Sequence, residues 1–70
     1  MKEIIKNQVY ELRIKSDITQ EGLAGVVDVT RQTIIAIEKG NYTPSVTLAL
    51  KIGKFFNKSV EDIFQIKYEK

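Results

Sequence analysis

The side chains best suited to molecular recognition lie together in one short stretch of the chain. That stretch contains Thr30, Arg31, Gln32 and Thr33, with Ala36 one helical turn later. A glutamine can form two hydrogen bonds to adenine and an arginine two to guanine, while the methyl groups of threonine and alanine can contact the methyl of thymine. These residue types could read the edges of nucleic-acid bases if one structural element presented them together.

The composition is poorly suited to catalysis and to metal binding. The chain has no Cys and no His, which removes disulfides, thiolate zinc sites, the commonest metal ligand and the usual general base. No paired carboxylates converge on an evident cleft, and a chain of this size leaves little room for one. We therefore predict a protein that is not an enzyme and that has no cofactor, no metal and no small-molecule ligand.

Length, charge and hydropathy indicate one small domain that does not enter a membrane. The 70 residues allow a single domain, residues 1–70, of marginal stability, so we expect compact helical packing and a dimer partner to contribute. The net charge of +2 gives only weak support to a nucleic-acid partner. Met1–Lys6 is charged, and no apolar run approaches the ~20 residues of a membrane span. We expect no signal peptide and a cytoplasmic location.

Five short helices, over about residues 7–64, are predicted from the helical spacing of apolar residues and from the breakers between them. The predicted ranges are Asn7–Ser16, a second helix from the N-cap Thr19 to Val27, Thr30–Lys39, Val46–Phe56 with Ser45 as N-cap, and Ser59 to about Phe64. Two glycines interrupt the second helix, Gly22 and Gly25. They indicate either a close approach of another helix or a weak surface face, and we favour the surface face.

A sharp corner is predicted between the second and third helices. Only Asp28, Val29 and Thr30 separate them, and so short a connection is typical of a helix-turn-helix. Thr30 is a natural N-cap for the third helix, and Gly40 is a natural C′ residue in the left-handed conformation.

The two ends of the chain are predicted to form a small ribbon. Residues 64–68 alternate apolar and polar side chains, which is the period of a strand, and residues 1–5 are compatible with an extended conformation. Four apolar side chains in the C-terminal part exceed what one small core needs: Phe55, Phe64, Ile66 and Tyr68. They are candidates for a dimer interface, with ordinary core packing as the alternative.

Several motifs, in order and without gaps, resemble the Cro/CI-type (XRE) family of helix-turn-helix transcriptional regulators. They are Thr19-Gln20-Glu21-Gly22-Leu23-Ala24, Val29-Thr30-Arg31-Gln32-Thr33-Ile34, Ile37-Glu38-Lys39-Gly40, Tyr42-Thr43-Pro44-Ser45 and Ser59-Val60-Glu61-Asp62-Ile63-Phe64. The resemblance covers roughly residues 7–64. It implies a mainly all-α, five-helix, phage-repressor-like DNA-binding domain, similar to the small dimeric cytolysin-repressor-like members that add a β-ribbon.

The resemblance also implies DNA contacts for individual residues. Gln20, at the start of the second helix, matches a position that contacts a DNA phosphate, which the helix dipole would favour. The positions that match the DNA-facing side of the recognition helix are Thr30, Arg31, Gln32, Thr33 and Ala36. Those that match phosphate contacts at its end and in the following loop are Lys39, Asn41 and Tyr42. Arg13 and Glu38 match an ion pair between the first and third helices, although a weak surface pair is the alternative.

The function implied is sequence-specific transcriptional regulation, by a homodimer that binds a pseudo-palindromic double-stranded DNA operator at the nucleoid and represses transcription. The alternative is a protein-interaction module, such as an antitoxin or a phage-immunity component. One position departs from the family pattern, because Asp28 occupies the turn position that is usually Gly. Asp tolerates the left-handed region less well than Gly, which leaves the exact shape of the turn open.

Overall fold

Residues 2–69 are described by a computed structural model, which contains five helices and a two-stranded antiparallel ribbon. In chain order the elements are β1 (Lys2–Asn7), α1 (Val9–Lys15), α2 (Gln20–Val27), α3 (Arg31–Glu38), α4 (Val46–Phe56), α5 (Val60–Ile63) and β2 (Phe64–Glu69). The predicted fold class, five helices with a small terminal ribbon, is confirmed. Within residues 2–69 no helix combines the length and the apolar character that crossing a membrane requires.

The ribbon is longer than the sequence predicted. Lys2 pairs with Glu69 and Asn7 pairs with Phe64, so both strands extend to the helices next to them. The backbone N–H of Gln8 also donates to the carbonyl of Ile63 at 3.0 Å, which continues the pairing one residue beyond β1. Met1, the first residue of the predicted ribbon, lies outside the described residues.

The first helix begins two residues later than predicted, at Val9 rather than Asn7. The reason is that the backbone of Asn7 belongs to the ribbon, where it pairs with Phe64. The side chain of Asn7 then supports the helix start, because its Oδ1 accepts a hydrogen bond from the Val9 N–H at 3.1 Å. The helical part of the chain therefore spans residues 9–63, slightly less than the predicted 7–64.

Four side-chain caps fix where helices begin, at the residues that the sequence predicted. Thr19, Thr30, Ser45 and Ser59 each accept a hydrogen bond from the backbone N–H three residues later. Asp62 completes a capping box by accepting from the N–H of Ser59 at 3.3 Å. Each cap typically stabilises a helix by about 1 kcal/mol, so the caps hold the helix starts in register with the core.

The core lies where the helices meet beneath the predicted corner. Its fully buried side chains are Val9, Leu23, Val27, Ile34, Ile37, Ile52 and Ile63. Burying one such side chain contributes about 1.5–3 kcal/mol. Because Leu23 and Val27 from α2 pack in the same cluster as Ile34 and Ile37 from α3, the core fixes the orientation of the two helices.

The glycines of α2 differ in their surroundings. A Cβ added to Gly25 would meet no atom within 4 Å, as the surface interpretation predicted. A Cβ on Gly22 would lie 3.0 Å from Cγ1 of Ile18 and 3.1 Å from Oγ1 of Thr19. Gly22 is thus partly buried rather than on an open surface, and its close contacts come from the segment before α2 rather than from another helix.

A third glycine, Gly53, is buried in α4 and gives a stability prediction. A Cβ there would lie 2.7 Å from the carbonyl oxygen of Lys58, so the backbone between α4 and α5 must move to admit it. We expect Gly53→Ala to lower the free energy of unfolding by about 1–3 kcal/mol, measured by urea denaturation. The matched control is Gly25→Ala, which we expect to raise the free energy of unfolding by about 0.5–1 kcal/mol, because Ala has the higher helix propensity. Equal midpoints for the two variants would contradict the tight junction.

Candidate nucleic-acid interface

The corner between α2 and α3 is built by local interactions. Asp28 ends α2 in the left-handed conformation, with φ of 61° and ψ of 51°. These angles are close to the ideal values for that region, and Asp is one of the few residue types that adopt it readily. The backbone N–H of Val29 donates to the carbonyl of Ala24 at 3.0 Å, and Thr30 then caps α3. Asp28 thus makes the turn at a position that is usually Gly in the family that the motifs resemble.

The outer face of α3 carries the residues predicted to face DNA. Arg31 and Gln32 are exposed, as is the N-cap Thr30, whereas Thr33 and Ala36 are partly buried. The opposite face carries Ile34 and Ile37, which are fully buried. Ile35, on the same helix, is also partly buried. Arg31 and Gln32 are therefore the exposed members of the predicted set on a helix that the core holds through Ile34 and Ile37.

Two of these residues also bond to each other. The hydroxyl of Thr30 accepts from the N–H of Thr33 at 3.3 Å, and the two hydroxyl oxygens lie 3.1 Å apart, within hydrogen-bond distance. Because its hydroxyl is engaged in capping, Thr30 has less hydrogen-bonding capacity for a ligand than Arg31 and Gln32 have.

The residues predicted to contact phosphates at the end of α3 are all exposed. Lys39 is the C-cap of α3, and Gly40 follows with φ of 79°, the left-handed conformation that the sequence predicted. The N–H of Asn41 donates to the carbonyl of Ala36 at 2.9 Å, which holds the start of the loop against the helix. Tyr42, in the same loop, is also exposed.

Arg13 and Glu38 form a buried ion pair between α1 and α3. Arg13 donates from Nε to Oε2 of Glu38 at 2.7 Å and from Nη2 to Oε1 at 3.2 Å. Only 9% of the Arg13 side chain and 6% of the Glu38 side chain are exposed, so the alternative of a weak surface pair is excluded. The hydrogen bonds to Glu38 raise the pKa of Arg13 above its usual value. Arg13 also donates from Nη1 to the carbonyl of Ile18 at 3.1 Å, which ties the chain just before α2 to the same pair.

Gln20 lies beside the outer face of α3. Together with Arg13, Thr19, Glu21 and Arg31 it lines an open notch of about 430 Å³ at the first turn of α2. The notch brings Gln20, predicted to contact a phosphate, close to Arg31, predicted to read a base. The starts of α2 and α3 thus form one continuous surface.

Two polar contacts were missed by the sequence reasoning. Nε2 of Gln20 donates to Oε1 of Glu38 at 3.1 Å, and Nδ2 of Asn7 donates to the carbonyl of Ile37 at 3.0 Å. The first contact joins residues 18 positions apart and the second joins residues 30 positions apart, so no local sequence pattern could have revealed them. The second contact ties the ribbon to the end of α3.

A capped helix held by the core behind a three-residue corner, with polar residues along its outer face, defines the helix-turn-helix class of proteins. A helix-turn-helix family profile matches residues 9–63 of the chain. An uncharacterized HTH-type transcriptional regulator of Bacillus subtilis, YgzD, is 52% identical over 65 residues, which cover 93% of this chain and 98% of that protein. The chain therefore belongs to the helix-turn-helix family of XRE-type transcriptional regulators, as its motifs predicted.

Two more distant similarities extend the comparison. The cryptic phage CTXphi transcriptional repressor RstR of Vibrio cholerae is 27% identical over 60 residues, which cover 86% of this chain and 54% of that protein. The crystal structure of the transcriptional regulator VanUg superposes with a TM-score of 0.77 at 24% identity, over 99% of this chain and 92% of that one. The second similarity shows that the two chains share the fold.

Proposed function

We propose that this protein binds an operator in double-stranded DNA as a homodimer, with α3 in the major groove, and represses transcription. The observation that carries the proposal is the outer face of α3, where Arg31 and Gln32 are exposed at the N-terminal end of the helix, directly after the corner. Arginine pairs well with guanine and glutamine with adenine in the major groove. The similarity to a phage transcriptional repressor supports repression as the outcome.

Phosphate contacts are proposed at both ends of the recognition helix. Gln20 stands at the first turn of α2, where the positive end of the helix dipole favours an anion. Lys39, Asn41 and Tyr42 form the other end, all exposed. Such contacts would fix the position of α3 on the duplex and make binding strongly dependent on salt.

Selection of bound sequences from a random pool of duplex DNA tests the function. A homodimer with two recognition helices should enrich two inverted half-sites whose centres lie about 10–10.5 base pairs apart, or one further turn. Enrichment of a single, non-repeated site would contradict the dimer, and no enrichment at low salt would contradict sequence-specific binding. In that last case the alternative, a protein-interaction module, would be favoured.

An apolar surface formed by the ribbon and α4 is the proposed dimer interface. Residues that pair across the ribbon point to the same side, so Ile5 and Ile66 share a side with Phe64 and Tyr68. Ile5 and Phe64 also line a groove of about 370 Å³ that continues to Val46, Ala49 and Leu50 and has no charged residue in its lining. We call this surface the apolar face: Ile5, Val46, Leu50, Phe64, Ile66 and Tyr68.

We propose a second copy of the chain as the partner that covers the apolar face. Its outer residues are strongly exposed: Val46 77%, Leu50 57%, Ile66 55% and Tyr68 62%. Because the lining offers no charge for an oppositely charged partner, a two-fold contact between two copies of the same surface is the simplest way to cover it. Phe55 was grouped with these residues in the sequence, but it points away from Val46 and Leu50 around α4, and its ring packs edge-on against Phe56 at 5.0 Å.

Charging the apolar face should separate the two copies. We expect Leu50→Glu to convert a dimer, with twice the mass of the 8.0 kDa chain, into a monomer, because each copy would bury a carboxylate in the proposed interface. The measurement is sedimentation equilibrium at several concentrations. Ile14→Glu is the matched control, since Ile14 is 54% exposed on α1, outside the apolar face, and should leave the dimer intact. A monomeric unmodified protein, or equal effects of both variants, would contradict this interface.

A further inference from the structure

The carboxylate of Glu38 contacts side chains from two other helices. Its Oε1 accepts from Nη2 of Arg13 at 3.2 Å and from Nε2 of Gln20 at 3.1 Å, while its Oε2 accepts from Nε of Arg13 at 2.7 Å. The Glu38 side chain is only 6% exposed, so protein donors rather than water surround it. Gln20 is thus bonded to a group whose own position is fixed by a buried ion pair.

The bond leaves part of the Gln20 amide free for a ligand. A primary amide nitrogen carries two hydrogens, and Glu38 takes one of them. Among residues 2–69 no second acceptor of Nε2 is seen, and the amide lies in the open notch at the first turn of α2, beside Arg31. An anion in this notch would meet the second N–H of Gln20 close to the positive end of α2.

We propose that Glu38 is a positioning residue for DNA binding, because it holds the Gln20 amide so that its second N–H meets a DNA phosphate. This inference rests on the proposed function. Without the acceptor, Gln20 would sample several rotamers and lose that freedom only on binding, which reduces affinity about three- to tenfold per bound copy. Arg13 cancels the charge of Glu38, so the carboxylate can orient Gln20 without repelling the phosphate.

Two double variants separate positioning from folding. Arg13→Met with Glu38→Gln keeps an oxygen acceptor for Gln20, whereas Arg13→Met with Glu38→Leu removes it. Both variants remove one positive and one negative charge, so the net charge of the protein is unchanged. Replacing a buried ion pair by apolar side chains of similar volume is often neutral or stabilising, which applies to Arg13→Met with Glu38→Leu. Circular dichroism with urea denaturation establishes for each of the two variants that it is folded. Each is made with and without Gln20→Ala.

The probe is a duplex that the unmodified protein has enriched from a random pool, and the readout is fluorescence anisotropy. We call Arg13→Met with Glu38→Leu the Leu variant, and Arg13→Met with Glu38→Gln the Gln variant. We expect the Leu variant to bind about three- to tenfold more weakly per copy than the Gln variant, with unchanged base preference. Adding Gln20→Ala should weaken the Gln variant by a similar factor and leave the Leu variant unaffected. Equal affinities of the Leu and Gln variants, or a full additional loss from Gln20→Ala in the Leu variant, would overturn the inference while leaving DNA binding established. Absence of binding by the unmodified protein would overturn the proposed function and this inference with it.

A second measurement needs no substitution in the buried pair. In a nitrogen–proton spectrum of the unmodified protein, the side-chain amide of Gln20 gives two proton resonances. The proposal predicts that the enriched duplex shifts the outward proton strongly and the proton bonded to Glu38 much less. Two unshifted resonances in the DNA-bound protein, or two equally shifted ones, would overturn it.

Discussion

Replacing Gln32 with alanine is expected to weaken binding to an enriched DNA duplex by about 1–3 kcal/mol per half-site. Gln32 is exposed on the first turn of α3, and its amide could form two hydrogen bonds with one adenine that a methyl group cannot replace. The loss should be concentrated at one base pair of each half-site, where the variant would no longer discriminate between bases. Titration of the parent duplex and its single-base variants measures both effects.

Two further variants show whether the loss arises from base reading. Gln65→Ala makes the same chemical change on β2, where Nε2 of Gln65 donates to the carbonyl of Glu61 at 2.8 Å, and should leave DNA affinity unchanged. Lys39→Ala should weaken all sequences alike and reduce the salt dependence, as expected for a phosphate contact. An undiminished affinity and base preference in Gln32→Ala would contradict the reading role.

Glu38→Ala is expected to lower the free energy of unfolding by about 3–5 kcal/mol, because it leaves the charge of Arg13 buried without its partner. The free energy of unfolding of a domain is typically only about 5–15 kcal/mol, and a domain of this size lies toward the lower end of that range. The variant should therefore be largely unfolded near 37 °C. Urea denaturation, monitored by circular dichroism, measures the difference in the free energy of unfolding between the variant and the unmodified protein.

The control for this prediction removes both charges. The stability of Arg13→Met with Glu38→Leu should be close to that of the unmodified protein or higher, since no unpaired charge remains in the core. A Glu38→Ala variant within 1 kcal/mol of the unmodified protein would show that water reaches the Arg13 guanidinium and that the pair is not buried in solution.

The features of the fold that depend on neighbouring residues were predictable. Thr19, Thr30, Ser45 and Ser59 cap helices because a hydroxyl reaches a backbone N–H three residues away, and sequence spacing contains that information. The left-handed residue Gly40 follows from residue type in the same way. The corner was predicted because both of its flanking helices have clear limits.

The features that depend on distant residues were not predictable in detail. The end of β1 was missed because Asn7 fits the start of a helix equally well until Phe64 is known to pair with it. The bond between Gln20 and Glu38 requires the folded corner, and neither residue type demands the other. The apolar face could be predicted only in part, because Val46 and Leu50 resemble ordinary helix residues until the ribbon is placed beside them.

A nuclear magnetic resonance titration of the labelled protein with an enriched duplex tests the central claim most directly, that the outer face of α3 binds DNA. The account predicts the largest changes of backbone amide shifts from Thr30 to Ala36 and at Gln20, with smaller changes at Lys39 and Asn41. The amides of the ribbon should change little, because in the proposed dimer the second copy covers the apolar face before DNA binds. Large changes confined to the ribbon and α4, with α3 unaffected, would contradict the account.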